Sequence, residues 1–285
     1  MGIIDFHTHI VSPWVIEHRD ELSHADACFG TLYSDRRASL ATADDLIRSM
    51  DEAEVTASVA LNIGWSTHEL CVRTNDYLLD AGTRWPGRIV PFCMVQPCAQ
   101  DAAVIELQRC ARAGAKGIGE LRPDAQGYSL LDTELLAPLA EAAATHKTIM
   151  LTHVSEPVGH RYPGKGTITP EQPYAFAKAF PRVVMVCAHW GGGLPFFTLM
   201  PEVGDALSNV YYDSAATQYL YRKDVFQTVA DLAGVEHVLF GSDYPLIGQR
   251  RALDHARSAG MDASRLSAIL GGNAARVLAE EALDG

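Results

Sequence analysis

Short apolar runs alternate with longer amphipathic stretches along this 285-residue chain, and the alternation limits the folds open to it. The runs are nearly continuous and rich in β-branched residues, which is typical of strands buried on both faces of a parallel sheet. An amphipathic stretch follows nearly every run and predicts a helix there. Eight runs are present, the number that a (β/α)₈ barrel requires: Ile3–Phe6, Ala57–Leu61, Ile89–Val95, Lys116–Leu121, Thr148–Thr152, Val183–Ala188, Val210–Tyr212 and Val238–Phe240.

The segment after the first run separates the two α/β architectures that fit this alternation. A doubly wound open sheet usually has a glycine-rich phosphate loop at this point, whereas this chain reads Phe6-His7-Thr8-His9-Ile10. We therefore predict an α/β fold of the (β/α)₈ TIM-barrel type. No Pro-, Gly- or Ser-rich linker divides the chain, so residues 1–285 are expected to form a single domain, with long loops 12–40 and 156–169 at the barrel mouth.

Charge and cysteine usage exclude several classes of protein. The chain has 23 basic and 35 acidic side chains, a formal charge of −12, which argues against a binder of nucleic acid or anionic membranes. No apolar run approaches the ~18 residues of a membrane span, and Met1–Asp5 lacks the features of a signal peptide. The six cysteines form no CxxC pair. We expect buried, reduced thiols in a cytoplasmic protein.

Histidines and carboxylates stand where the predicted strands end. The first strand ends in His7-Thr8-His9, and the period of two along a strand points both imidazoles to one face. The fourth, fifth, sixth and eighth strands end in Glu120, His153, His189 and Asp243. The carboxyl ends of barrel strands converge on one mouth, where active sites lie. For one such histidine alone, a hydrogen-bonded core residue is the better interpretation, but the whole set in this order predicts a metal site.

The mixture of imidazole and carboxylate ligands fits Zn²⁺, with Mn²⁺, Fe²⁺ and Co²⁺ as alternatives. A bound divalent ion lowers the pKa of water from ~15.7 towards ~7, which creates a nucleophile at neutral pH. Asp243 can then act as general base and general acid. These residues predict a metal-dependent hydrolase that cleaves an amide, ester or lactone of a small carbonyl compound.

Six segments resemble the amidohydrolase superfamily, in the branch of TIM-barrel metal-dependent hydrolases called amidohydrolase family 2. They span residues 3–278 and read IIDFHTHI, KGIGELRP, LTHVSEP, VVMVCAHWGGG, LFGSDYP and ILGGNAARVL. The resemblance implies that His7, His9, His153, His189 and Asp243 bind metal and that Asp243 shuttles a proton. Glu120 stands where many members have a bridging lysine carbamate or glutamate, and it resembles TatD-like members in this respect. Two ions are implied if Glu120 bridges, and one if it points away.

Further residues near the predicted mouth are candidates for substrate binding. Arg122 and Arg161 could hold a substrate carboxylate through a bidentate pair, although surface ion pairs explain them about as well. Tyr162 and Trp14 could line the pocket, where aromatic residues as often pack the wall. Asp213 ends the seventh strand, and a turn cap is its simpler interpretation.

Three other functions compete with a hydrolase. The resemblance includes non-oxidative decarboxylases of aromatic or enoic acids, which usually use one metal, so Glu120 favours the hydrolase. A TatD-like nuclease agrees with Glu120 but not with the charge of −12. A non-catalytic metal-binding protein would not need all six ligands. The expected partner is a small-molecule substrate, and the resemblance leaves a homodimer open.

Overall fold

The structure is a computed structural model that describes residues 2–279. Its strands are parallel, follow one another in chain order around one eight-stranded sheet, and confirm the predicted TIM barrel. The first and last strands close the ring, because Phe6 N–H donates to Phe240 O at 2.7 Å and Asp243 N–H donates to His7 O at 2.9 Å. The strands are β1 Ile4–His9, β2 Ala57–Leu61, β3 Ile89–Cys93, β4 Gly117–Leu121, β5 Ile149–Thr152, β6 Met185–Cys187, β7 Val210–Asp213 and β8 Val238–Leu239.

Helices connect the strands on the outside of this barrel. Several of the longer ones begin at side-chain caps, and before the helix over Ala43–Ala53 the residues Thr42 and Asp45 form a reciprocal capping box. The helices are α1 Pro13–Glu17, α2 Arg19–Ala25, α3 Ala27–Tyr33, α4 Ala43–Ala53, α5 His68–Arg84, α6 Asp101–Arg112, α7 Pro123–Gln126, α8 Thr133–Thr145, α9 Glu171–Ala179, α10 Pro201–Ala206, α11 Thr217–Leu220, α12 Val225–Ala233, α13 Gln249–Arg257, α14 Ala263–Ser267 and α15 Asn273–Ala279.

The alternation of side chains along each strand divides the core into two layers. One layer packs strand residues such as Ala60, Met150 and Val238 against helical residues such as Leu46 and Leu107. Strand residues of the opposite face form a second cluster inside the barrel, with Phe6, Val59, Leu61, Leu151 and Leu239 among its members. Both faces of the sheet are therefore buried, which explains the continuous apolar runs in the sequence.

The two segments expected to be long loops differ in structure. Residues 12–40 are not one open loop, because their Ser12 and Asp26 side chains cap α1 and α3 and the segment folds into three short helices. Residues 156–169 contain no helix or strand and connect β5 to α9. Both segments contribute to the wall of the cavity described below.

The structure shows the state of the cysteines and the character of the helices. The six cysteines are free thiols, and all but Cys98 are buried. Within residues 2–279, none of the helices combines the length and apolarity needed to cross a membrane. The cytoplasmic location remains a prediction.

Candidate metal centre and active site

The structure brings all six predicted ligands together at the carboxyl ends of the barrel strands. Five of them are buried and His9 is nearly so, with 12% of its side chain exposed. Each lies at or just after the end of its strand, so the closure of the barrel creates the cluster. The six residues are His7 and His9 on β1, Glu120 on β4, His153 after β5, His189 after β6 and Asp243 after β8.

A first donor group consists of His7, His9 and Asp243. The Nε2 atoms of the two histidines lie 3.1 Å apart, and each lies 3.6 Å from Asp243 Oδ1. One ligand atom from each residue lies within 4.8 Å of the others, close enough to share one ion. Nitrogen and oxygen donors that converge in a buried site fit a divalent metal.

Glu120 connects this group to a second set of donors. Its Oε1 lies 2.8 Å from His153 Nδ1 and 3.4 Å from His189 Nε2, while its Oε2 lies 3.8 Å from His9 Nε2. Burial opposes ionisation of Glu120, but the neighbouring histidines hold its pKa well below the usual value. The two oxygens of one ionised carboxylate thus face two different sets of histidines.

Asp213, at the end of β7, positions two of these histidines. Its Oδ2 lies 2.8 Å from His7 Nδ1, and its Oδ1 accepts hydrogen bonds from the backbone N–H groups of His189 and Ala215, each at 3.0 Å. Burial opposes protonation of His7, but Asp213 overrides it and raises the pKa of His7 to about 10. A carboxylate that accepts from Nδ1 leaves Nε2 as the atom available for a metal ion.

His7 therefore has one free nitrogen, and this limits how the donors can be shared. His7 could share an ion with His9 and Asp243, or instead with Glu120 and His189. Its single free lone pair, on Nε2, can bind only one ion. If His7 joins the first donor group, a second ion would depend on Glu120, His153 and His189.

A second buried carboxylate fixes the backbone beneath the first donor group. Asp5 Oδ1 accepts hydrogen bonds from the N–H groups of His7 at 3.2 Å and Ser242 at 2.9 Å. Its Oδ2 accepts from Gln249 Nε2 at 2.9 Å. Burial raises the pKa of Asp5 to about 6. This carboxylate ties β1 to the segment that carries Asp243.

Ser155 connects His153 to the segment 156–169. Its Oγ lies 2.9 Å from His153 Nε2 and accepts a hydrogen bond from Gly166 N–H at 2.9 Å. With Nε2 paired to Ser155, His153 presents Nδ1 to Glu120. The imidazole is therefore held from both sides, and its orientation depends on the segment at the mouth.

Two of the candidate ligands adopt an unusual backbone conformation. His189 and Asp243 have φ values of 55° and 67°, in the left-handed region that residues with a Cβ rarely occupy. Such conformations cost on the order of 1–3 kcal/mol and cluster at functional sites. The fold therefore holds these two side chains in place against a local preference.

The donors open into a cavity of about 650 Å³ at the barrel mouth. Its wall includes every candidate ligand but His7, which lies beneath it, together with Tyr33, Arg122, Tyr162 and apolar residues such as Leu32 and Leu246. The volume is in the range of sites for small-molecule ligands.

The structure brings two of the four proposed substrate-binding residues to this cavity. Arg122 and Tyr162 line it, and the Tyr162 hydroxyl donates to Glu156 at 3.0 Å. Arg161 is exposed and is not part of the wall. Trp14 also lies outside it, stacked on His18 with the Arg73 guanidinium 3.3 Å from its ring centre.

The sequence pattern undervalued Asp213, and it did not reveal that Tyr33 lines the cavity or that Ser155 contacts His153. Asp213 does cap a turn, through Ala215 N–H, but it also holds His7. Its place at a strand end is the same signal that revealed Asp243. Tyr33 lies in the segment 12–40, where no periodicity relates it to the barrel.

Comparison with known proteins identifies the family of this chain. Residues 4–279 match the sequence model of the amidohydrolase family. The chain therefore belongs to the amidohydrolase family and is an enzyme of that superfamily. No curated protein matches the chain.

Similar solved structures include several decarboxylases. 5-Carboxyvanillate decarboxylase from Sphingomonas paucimobilis has a TM-score of 0.79 at 17% identity, over 97% of this chain and 98% of that chain. 2,6-Dihydroxybenzoate decarboxylase from Rhizobium has a TM-score of 0.75 at 17% identity, over 98% of each chain. A dihydroxybenzoic acid decarboxylase from Polaromonas, solved with bound manganese and the inhibitor 2-nitroresorcinol, has a TM-score of 0.74 at 18% identity, over 97% of this chain and 96% of that chain. At these identities the likeness establishes the shared barrel.

Proposed function

We propose that this protein is a metal-dependent hydrolase that cleaves an amide, ester or lactone of a small carbonyl compound. The observation that carries the proposal is the position of Glu120, whose two oxygens face His9 on one side and His153 with His189 on the other. A bridging carboxylate between two sets of donors suits a two-ion hydrolytic centre.

Two ions would be held by different sets of side chains. The first would bind His7, His9 and Asp243, and the second His153 and His189, with Glu120 between them. Bound ions would supply a water of lowered pKa and a polarised substrate carbonyl. Zinc and manganese both suit these donors, and the manganese in the similar decarboxylase structure supports a divalent ion of this kind.

Asp243 moves the proton in this proposal. It lines the cavity and belongs to the first donor group. As general base it accepts a proton from the attacking water, and as general acid it passes that proton to the leaving nitrogen or oxygen. The bond from the carbonyl carbon to the leaving group breaks, and a carboxylic acid and an amine or alcohol result.

Non-oxidative decarboxylation of an aromatic acid is the second candidate. The comparisons favour it more directly than hydrolysis, because the similar solved structures named above are decarboxylases. In that reaction Asp243 would donate a proton to the ring carbon that bears the carboxylate, and the C–C bond would break to release CO₂. One ion in the first donor group would suffice.

Product analysis separates the two candidates. Purified protein loaded with zinc or manganese is incubated with lactones, amides, esters and hydroxybenzoates, and the product mass and CO₂ release are measured. We expect a mass gain of one water and no CO₂. Release of CO₂ with no hydrolysis would replace the first candidate by the second. Asp243→Asn should lose turnover while it keeps most of the metal, which separates loss of proton transfer from loss of the site.

A nuclease is less compatible with this chain. Its formal charge is −12, and the cavity wall contains two arginines, of which Arg37 is paired with Asp35. A phosphodiester backbone needs several cations along its path. We therefore propose a small-molecule substrate. Whether the chain forms a homodimer can be tested by size-exclusion chromatography.

A further inference from the structure

Ser155 is a buried serine that joins a candidate metal ligand to residues 156–169, called the mouth segment below. Its Oγ lies 2.9 Å from His153 Nε2 and accepts a hydrogen bond from the N–H of Gly166 at 2.9 Å. The Ser155 hydroxyl also hydrogen-bonds the phenol of Tyr162, which opposes the rise in pKa that burial causes at Tyr162. One hydroxyl group therefore meets three partners, two of them on the mouth segment.

Glu156 ends this set of contacts with a carboxylate. Its Oε2 accepts a hydrogen bond from the Tyr162 hydroxyl at 3.0 Å. Its Oε1 is buried and has no hydrogen-bond partner in residues 2–279. Burial and then the Glu156 carboxylate raise the pKa of Tyr162, so the phenol keeps its proton. The four side chains thus form a hydrogen-bonded chain, from His153 through Ser155 and Tyr162 to Glu156, that ends on a strong acceptor.

The carboxylate fixes the direction of every proton in this chain. An ionised carboxylate accepts hydrogen bonds and cannot donate, so the proton of Tyr162 points to Glu156. The oxygen of Tyr162 can then only accept, and the single proton of Ser155 must point to it. Ser155 consequently accepts from His153, whose Nε2 carries the ring proton. The lone pair of Nδ1 is left facing Glu120, where Oε1 lies at 2.8 Å.

A metal-binding imidazole needs this arrangement of protons. Ligating histidines almost always donate their other ring N–H to an outer partner, which fixes the tautomer and the orientation of the ring. For His153 that partner is the Ser155 hydroxyl. Without an ion, Glu120 favours a proton on Nδ1 and so opposes the direction that Glu156 imposes. An ion bound at Nδ1 removes this conflict.

We propose that Ser155, Tyr162 and Glu156 are positioning residues that select Nδ1 of His153 as its metal-binding nitrogen, so that metal binding and ordering of the mouth segment stabilise each other. Such coupling is reciprocal: the factor that the ordered segment adds to metal affinity is the factor that bound metal adds to the order of the segment. The inference rests on the proposed function in assigning His153 to an ion, and it does not depend on which bond is cleaved.

Zinc affinity tests the first half of this proposal. Loss of an outer partner of a ligating histidine typically costs about 10–100-fold in affinity. In competition with a chromophoric chelator, Glu156→Gln and Tyr162→Phe should each bind at least one zinc ion about tenfold less tightly or worse. Glutamine can donate to Tyr162, so it no longer fixes the direction of the chain. The matched controls Glu171→Gln and Tyr174→Phe, on α9, should keep the unaltered affinity.

Ser155→Ala removes the central link of the chain. This variant should lose at least as much zinc affinity as Glu156→Gln, because Nε2 of His153 then has no acceptor on the mouth segment. Ser155 is fully buried. If Ser155→Ala does not fold, Glu156→Gln and Tyr162→Phe decide the question alone, since both keep the bulk of the side chain.

Trypsin cleavage tests the second half. The bond after Lys165 contains the N–H of Gly166, which donates to Ser155 Oγ, so cleavage there requires the mouth segment to open. Its rate follows the population of the open form. Zinc-loaded protein should be cut after Lys165 about tenfold more slowly than metal-free protein or slower still, and this ratio should approach one in Glu156→Gln. Cleavage after Arg112, exposed at the end of α6, reports any general loosening.

The ratio separates positioning from a merely structural role. If Glu156 only held the mouth segment in place, its replacement would speed cleavage with and without zinc and leave the ratio unchanged. Two results would overturn the proposal. One is equal cleavage after Lys165 with and without zinc in the unaltered protein, and the other is full zinc affinity in both Glu156→Gln and Tyr162→Phe.

Failure of the proposed function gives a different pattern. If the unaltered protein holds one ion or releases CO₂ without hydrolysis, yet protection by zinc disappears in Glu156→Gln, the two-ion hydrolase fails and the positioning role stands. If two ions bind and hydrolysis proceeds while protection survives in every variant, the positioning role fails and the proposed function stands.

Discussion

Replacing Asp213 by asparagine changes the available nitrogen of His7 without removing any bulk. Oδ1 of Asp213 accepts the N–H groups of His189 and Ala215, so the amide oxygen of asparagine must remain on that side. The amide NH₂ then faces His7 Nδ1, which Oδ2 contacts at 2.8 Å in the unaltered protein. Because NH₂ is a donor, His7 must present a lone pair at Nδ1 and carry its proton on Nε2. The nitrogen that faces His9 and Asp243 can then no longer bind a metal ion.

The size of this effect follows from the role of Asp213. Loss of the outer partner of a ligating histidine typically costs 10–100-fold in metal affinity, about 1.4–2.8 kcal/mol. We expect the upper end of that range, since the substitution enforces the wrong tautomer. The two backbone hydrogen bonds to Oδ1 persist, so the thermal unfolding midpoint should change much less than the affinity.

The assay is a competition between the protein and a chromophoric chelator for zinc. Asp26→Asn is the matched control, because Asp26 is also buried and accepts three hydrogen bonds, from Phe29 N–H and from the N–H and hydroxyl of Ser66. That variant should lose stability but keep its metal affinity. Unchanged zinc affinity in Asp213→Asn would refute the argument that this carboxylate fixes the tautomer of His7.

Three further predictions follow from the same structure. Glu120→Gln should reduce the metal content from two ions per chain to one and abolish hydrolysis, because the amide cannot bridge; two retained ions, measured by plasma mass spectrometry, would contradict the bridging role. Asn75→Ala should lower the free energy of unfolding by about 3 kcal/mol, because the buried amide pairs with both the N–H and the C=O of Met94. Urea titration measures this change. The control Thr83→Ala, on an exposed turn of the same helix, should change the free energy of unfolding by no more than about 0.5 kcal/mol. Arg161→Ala should leave KM unchanged in steady-state kinetics, since Arg161 lies outside the cavity wall, and a marked rise in KM would show that the segment carrying it contacts substrate.

Much of the fold could be predicted because strands of a parallel barrel are buried on both faces and therefore appear as apolar runs. The candidate ligands could be predicted for a related reason, since a charged or imidazole side chain that ends such a run lies at the mouth. Tyr33 and Trp14 show where this reasoning stops. Both lie in the segment 12–40, whose short helices α1–α3 are positioned by tertiary contacts and not by a repeating pattern. Tyr33 faces the cavity, whereas Trp14 does not.

The orientation of a polar side chain was equally hidden from the sequence. Asp213 and Asp243 both follow apolar strands, yet Asp213 holds histidines from behind while Asp243 faces the cavity. The backbone of Asp243 is left-handed, with φ of 67°. The sequence does not signal a left-handed backbone at a residue other than glycine.

The catalytic class of this protein depends on how Glu120 is used. His7 has one free nitrogen because Asp213 engages the other, so the first donor group cannot extend to a second ion through His7. Any second ion must rely on Glu120 with His153 and His189, whose ligand atoms lie 2.8 and 3.4 Å from its Oε1. A hydrolase that uses two ions requires this carboxylate to bridge, whereas a decarboxylase that uses one ion requires it only as a hydrogen-bond acceptor for His153. Measuring metal content and products in the same Glu120→Gln preparation therefore distinguishes the two chemistries. If the variant loses one ion and also loses hydrolytic activity, the two-ion hydrolase is supported. If it keeps its full metal content and releases CO₂ at an undiminished rate, the one-ion decarboxylase is supported.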